Sequence, residues 1–173
     1  MQVVQIEFPQ DLPKVREAAE KAFSSTPDSS LDEWFSFEEM QTFIKRGKGL
    51  CLKAVLESGE IVGIIFAAQE SLVAGKESEE KWMINLTGVI PEKTGQRIGA
   101  ELLKEVEKQA RKRKVKKMFV STNKGDEKVV HFYQKNGYED AGWVKDYQYG
   151  KGNSAVFLLK YLFFDICLHQ YIS

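Results

Sequence analysis

The apolar run from Trp82 to Ile90 is closed by Pro91, followed by Gly95 and Gly99, and then by apolar residues at helical spacing from Ile98 to Ala110. No other stretch restricts the architecture as much. A strand must lead through a glycine-bearing turn into a long amphipathic helix, and that helix must lie back on the sheet. Such a turn aims several backbone N–H groups and the positive end of the helix dipole at one point, which suits a pyrophosphate. An anionic, nucleotide-like ligand is therefore expected beside Val89.

The elements around this unit read as one domain, 1–173. Val3 to Phe8 alternates as a strand, and Asp11-Leu12-Pro13 opens a helix with Val15, Ala18, Ala19, Ala22 and Phe23 on one face. The polar stretch Ser24 to Ser30 ends it. Ser36 with Glu39 three residues on forms a capping box for a second helix reaching about Arg46. Leu50 to Glu57 and Ile61 to Gln69 flank Ser58-Gly59-Glu60 as an antiparallel hairpin. After the polar gap Glu70 to Glu80 come the central strand and a helix from about Gly95 to Lys114. Lys117 to Ser121 then returns as a strand parallel to the central one, because a helix crosses between them. Asp126 to Lys135 is a further helix, and Tyr138 to Tyr149 with Asn153 to Phe163 forms a closing hairpin around Gly150-Lys151-Gly152.

Composition narrows the partners. The 25 basic and 25 acidic side chains cancel, which gives no global attraction to nucleic acid or an anionic membrane. The most basic run, Arg111 to Lys117, reads as a solvated helix end about 25 Å from the glycine loop, and nucleic acid is not expected as a partner. Cys51 and Cys167 form neither a Cys-x-x-Cys motif nor a disulfide framework, so a reducing cytoplasm fits. No apolar run approaches the ~20 residues needed to span a bilayer. A dinucleotide site would need Gly-x-Gly-x-x-Gly and a Walker loop would need Gly-Lys-Ser/Thr; neither is present.

In element order and in two motif segments, Val89-Ile90-Pro91-Glu92 into Gly95, Ile98-Gly99-Ala100 and Leu102-Leu103, then Phe132-Tyr133 and Gly137-Tyr138, the chain resembles the GNAT superfamily of N-acetyltransferases. The resemblance covers almost the whole chain. It implies an α/β fold of order β-α-α-β-β-β-α-β-α-β-β, with a mixed, mostly antiparallel central sheet, a splayed parallel strand pair and flanking helices. It also implies acetyl-CoA as co-substrate, held by Val89, Thr94, Gly95, Gln96, Arg97, Ile98, Gly99, Ala100 and Asp126. The loop departs from the family pattern at two positions: Thr94 replaces a long polar side chain, and Arg97 replaces a glycine. Arg97 is open to two readings, pairing with the pyrophosphate or crowding its approach.

Acetyl transfer to an amine needs a neutral nucleophile, a donor for the developing oxyanion and a proton for the departing thiolate. The resemblance assigns the oxyanion donor to the backbone N–H of Val89 and the general acid to Tyr133. Tyr133 also shares a helical face with Val129 and Phe132 and is open to a core role; His131 lies off that face and His169 has no visible partner. A bulge at Thr87-Gly88 would splay the parallel pair, although Gly88 serves equally well to relieve packing. Asn85 stands where many members carry a glutamate base, and Glu33, Glu38 and Glu39 read as solvated helix charges. Trp34 and Tyr147 are the expected acceptor contacts, for a small-molecule or protein amine. Two other readings stay open: a CoA-binding module without turnover, and an interaction protein whose tail, Phe163 to Tyr171, pairs with another copy as a homodimer.

Overall fold

The computed structural model describes residues 1–24, 31–72, 75–147 and 152–163. Seven strands form one sheet in the order β1-β2-β3-β4-β5-β7-β6: β1 Gln2–Gln5, β2 Gly49–Val55, β3 Ile61–Gln69, β4 Lys81–Val89, β5 Lys117–Asn123, β6 Glu139–Val144 and β7 Ala155–Tyr161. Every pairing is antiparallel except β4 with β5. This is the expected mixed sheet with one parallel pair. The helices are α1 Leu12–Phe23, α2 Leu31–Trp34, α3 Phe37–Lys45, α4 Lys76–Glu79, α5 Ile98–Lys112 and α6 Glu127–Lys135. The four-residue helices α2 and α4 were not expected as elements.

Two cores lie on opposite faces of the sheet. On one, Val15, Ala18 and Ala19 of α1 and Met40 and Phe43 of α3 pack on Cys51, Ile64, Phe66 and Leu86. On the other, Ile98, Leu102, Leu103, Val106 and Ala110 of α5 pack on Leu50, Leu52, Val62, Ile65, Ala67 and Ile84. The alternation Leu50/Cys51/Leu52 and Ile64/Ile65/Phe66 feeds both, which is why β2 and β3 read as nearly continuous apolar runs. Each fully buried Leu of α5 contributes about 1.5–3 kcal/mol by leaving water.

Several boundaries move for local reasons. The first strand stops at Gln5 rather than Phe8, because the chain turns there and the N–H of Glu7 donates to the Asp11 carboxylate at 2.6 Å. Helix α3 begins as the capping box predicts, with the Glu39 N–H donating to Ser36 Oγ at 3.1 Å. Helix α5 starts at Ile98, not Gly95. Gly95 (φ +77°) and Arg97 (φ +64°) both adopt the left-handed conformation, which a right-handed helix cannot contain. Strands β6 and β7 are shorter than their predicted spans, and residues 150 and 151 of the proposed turn, with 25–30 of the polar break, lie outside the described residues.

The basic run is tied down at the end of α5. Arg111 Nε donates to the Leu162 carbonyl, Arg113 donates to the Gly49 carbonyl and sits over the Trp82 ring, and Lys116 pairs with Glu80. These contacts anchor the helix C-terminus, as cations there should. Among the described residues, no helix is long and apolar enough to cross a membrane. Cys51 is buried, and burial pushes its thiol up to about 12, so it is inert at neutral pH. Cys167, His169 and the tail beyond Phe163 lie outside the described residues.

Candidate active site

Strands β4 and β5 are paired only from Lys81↔Lys117 to Ile84↔Val120. Beyond that row they part. Opposite β3, Phe66 pairs with Leu86 and Ala67 with Ile84, which leaves Asn85 as the extra residue of a bulge. The bulge therefore sits at Asn85, two residues before the expected Thr87-Gly88. It coincides with the last parallel pair, and the added twist turns the rest of β4 away from β5. Asn85 is exposed at the point of divergence, its Nδ2 donating to the Met83 carbonyl at 3.2 Å.

Gly88 has a packing role instead. A Cβ there would lie 2.9 Å from the Ala22 Cβ and 3.0 Å from the Phe23 ring, so the glycine lets α1 close on β4. Phe23 in turn meets Trp34 edge-on at 5.1 Å. Trp34 is thus half-buried, one ring removed from the upper part of β4.

The backbone of that upper part can be oriented from one bond. The N–H of Ile90 donates to the Val62 carbonyl at 3.1 Å, and residues of an antiparallel strand alternate in the edge to which they turn their polar groups. Residues 86, 88 and 90 therefore face β3, and the N–H and C=O of Thr87 and Val89 face the gap. Beyond Ile84 no β5 residue pairs with them. Val89 ends its strand with a free donor aimed into the opening.

The glycine loop lies against the same spot. After the 3-10 turn Pro91–Lys93, the Thr94 hydroxyl donates to the Pro91 carbonyl at 2.9 Å, closing the turn on itself. Gly95, Gln96 and Arg97 are exposed, and Ile98 is buried as the first anchor of α5. Helix α5 has no side-chain cap, so the N–H groups of Ile98, Gly99 and Ala100 are left to an external acceptor. Gly99 lies between β4 and α6: a Cβ there would be 3.3 Å from Phe132 and 3.8 Å from Val89 Cγ2. The loop suits a pyrophosphate, with Arg97 beside it as an exposed cation.

Helix α6 brings Tyr133 to the gap from the α5 side. Its phenol is buried and donates to Thr87 Oγ1 at 3.1 Å. Burial pushes this phenol up to about 12, against a smaller lowering from the Thr87 bond, and it stays protonated at neutral pH. Tyr133 belongs to the core, and its phenol also reaches the gap. His131 on the same helix is solvent-facing, as expected.

The remaining expected residues divide. Asp126 caps α6, its carboxylate accepting from the Val129 N–H at 3.2 Å, so the local structure explains it without a ligand. Tyr147 is 58% exposed and meets Phe157 of β7 edge-on at 5.5 Å. Among the described residues, no ring contact joins Tyr147 to Trp34, and they stand on opposite sides of the parallel pair. Glu33, Glu38 and Glu39 are exposed. Thr87 was missed as the partner of Tyr133, and so was Phe132 as the wall of Gly99. Both contacts join segments far apart in the chain, and no local pattern announces them.

The sequence pattern of the Acetyltransferase (GNAT) family matches residues 12–138. Among solved structures, a ribosomal-protein-alanine N-acetyltransferase from Brucella melitensis aligns at TM-score 0.73 with 20% identity, over 93% of this chain and 99% of that one. An aminoglycoside 6'-N-acetyltransferase from Enterococcus faecium aligns at TM-score 0.70 with 19% identity, over 94% and 98%. An aminoglycoside 6'-N-acetyltransferase complexed with coenzyme A aligns at TM-score 0.72 with 17% identity, over 94% and 98%. At these identities the likeness is one of fold. None of the curated proteins matches the chain significantly. With the family pattern spanning most of its length, the chain belongs to the acetyltransferase (GNAT) family.

Proposed function

We propose that this acetyltransferase moves an acetyl group from acetyl-CoA to an amine by direct attack, without a covalent enzyme intermediate. The observation that carries the reading is the convergence of three donors on one gap: the Val89 N–H, the uncapped first turn of α5 and the Tyr133 phenol. The pyrophosphate would lie on the N–H groups of Ile98, Gly99 and Ala100, with Gly95 and Gln96 shaping the loop, Thr94 closing it and Arg97 adding charge. The amine attacks the thioester carbonyl carbon, and the Val89 N–H stabilises the oxyanion that forms. As the C–S bond breaks, Tyr133 gives its proton to the departing thiolate, while the nitrogen of the new amide loses its extra proton to water and the phenolate is reprotonated from water.

Asn85 cannot take the proton of the attacking amine, so the acceptor arrives neutral or releases its proton to water. Asn85, together with the loop departures at Thr94 and Arg97, also favours the turnover-free reading. Two measurements separate them. Acetyl-CoA at ~100 times its dissociation constant should stabilise the fold by ~2.7 kcal/mol, read as a rise of several degrees in Tm against an ionic-strength control. Amine-dependent release of CoA then establishes catalysis. A Tm rise without release at any amine leaves a binding module, and no rise at millimolar ligand removes the acetyl-CoA reading altogether.

A further inference from the structure

Resting on that reading, we infer that the acceptor is a small monoamine with an apolar body, aromatic or branched, and not a polycation. The two faces of the sheet are unequal around the gap. Met118, Val120, Val156 and Leu158 turn towards α5 and α6 and are buried there. Their neighbours along the same strands must turn the other way. Those neighbours include Met83 of β4, Phe119 of β5, and Phe157 and Leu159 of β7, all half-buried and members of neither core. Met83, Phe119 and Leu159 form one cross-strand row, and Phe157 follows in the row nearer the gap, opposite Ser121. Tyr147 lies against Phe157. Among the described residues, neither core includes a side chain from this face of β5 or β7.

The patch is continuous with the gap, since Met83 lies two residues before the exposed Asn85 and Ser121 directly follows the last paired row. It lies on the face opposite Tyr133 and α5, so an amine resting on it approaches the carbonyl from the side away from the anion loop. Its charge pattern opposes a polycation. The ionic groups in the cross-strand rows of this face are Lys81, itself paired with Glu70 and Glu77, and Lys117 at the far end, and Glu139 at the outer edge, opposite Leu159, so no carboxylate stands in the rows next to the gap. A ligand with several ammonium groups finds neutral apolar wall where it needs carboxylates, whereas an apolar monoamine buries its body there.

The test compares phenethylamine, spermidine and a short peptide with a free N-terminus as acceptors in CoA release by the wild-type chain. The expected result is a specificity constant, kcat/KM, for phenethylamine at least about tenfold above the other two. Phe157→Ser should raise the phenethylamine KM by about tenfold and leave the acetyl-CoA KM unchanged, and Phe157→Leu should restore most of the loss. A preference for spermidine or the peptide overturns the inference. So does an acetyl-CoA-stabilised chain to which phenethylamine neither binds, by saturation-transfer NMR, nor donates its amine. If residues 164–173 or a second copy cover the face instead, Phe157→Ser changes the sedimentation mass or Tm and leaves acceptor kinetics alone, which also overturns it. A chain that fails to bind acetyl-CoA refutes the acetyl-transfer reading, a result distinct from each of these.

Discussion

Strands β2, β3 and β4 feed cores on both faces, whereas β5 and β7 feed only the core beneath α5 and turn Phe119, Phe157 and Leu159 outwards on the other face. Strand β6 is exposed along its whole length. The first half is a three-layer core, and the second is a shelf joined to it by four residue pairs between β4 and β5 and by the core shared beneath α5. The lesson lies at the seam. Stability is concentrated where both faces are covered, and the proposed catalytic groups, Val89 and Tyr133, with Thr87 and Asn85 beside them, stand where the two halves separate.

Truncations on the two sides should sharpen that contrast most. Leu102 is fully buried beneath α5, and Leu102→Ala should cost about 3 kcal/mol, lowering Tm by about 6–12 °C. Phe157→Ala should cost about 1 kcal/mol or less, because its ring already meets water. Urea titrations of both variants check this. Equal losses would mean that the outward face is covered in solution.

At the seam itself, the effect should fall on rate and spare the fold. Tyr133→Phe is expected to lower kcat by about 100-fold while moving Tm by no more than about 2 °C. The pH profile should keep its shape between about pH 6 and 9, because a phenol at about 12 does not titrate there. A kcat near wild type, with chemistry shown to limit the rate, would return Tyr133 to a purely structural role.

Gly88→Ala probes the covered side of the same strand. The new Cβ would stand 2.9 Å from Ala22 and 3.0 Å from Phe23, and overpacking of this kind costs about 1–3 kcal/mol. Thermal melts check the loss. An unchanged Tm would mean that α1 shifts freely, and that the first half is looser than its burial implies.

The covered half was the more legible in the sequence. Ile98, Leu102, Leu103, Val106 and Ala110 repeat at helical spacing, and the β2–β3 hairpin is bracketed by its turn residues, so local pattern and tertiary packing agree. The parallel partner of β4 followed from a helix crossing between two strands. The seam was less legible for physical reasons. A bulge at Asn85 needs no glycine or proline to mark it, since what creates it is a mismatch with β3. The left-handed Arg97 left no trace in a pattern that reads as continuous helix from Gly95. The Tyr133–Thr87 bond spans 46 residues. The outward face of the shelf was hidden for another reason: Phe119 and Phe157 sit in runs whose neighbours are apolar too, and only the placement of helices decides which face stays open.

Asn85→Glu would place a carboxylate at the divergence of β4 and β5. The expected outcome is about tenfold faster turnover near pH 7 with a basic amine, together with a new loss of rate at low pH as the carboxylate protonates. A pH–rate profile of both proteins measures it. If the variant is no faster, proton removal does not limit the reaction, and the seam works without a protein base.

The smallest effect expected is a pH-dependent one, and it belongs wholly to the covered half. Asp11, at the start of α1, accepts from Lys53 Nζ of β2 at 2.6 Å and from the Glu7 N–H at 2.6 Å. Burial alone would raise its pKa, but the Lys53 bond, the backbone donor and the Lys53 charge together outweigh it and hold the carboxyl below its ordinary 3.8. A depressed folded-state value means that the contribution is fully present above the unfolded pKa of about 3.9 and is lost as the pH falls through the folded value. Asp11→Asn should therefore cost about 1 kcal/mol at pH 7. That cost should shrink as the pH is lowered from about 5 to below 3, until the two proteins are equally stable. Urea midpoints of both chains across this range measure the difference. A gap that stays constant with pH would assign the loss to packing, and the α1–β2 junction would then be held by shape alone, as α5 is held on the opposite face.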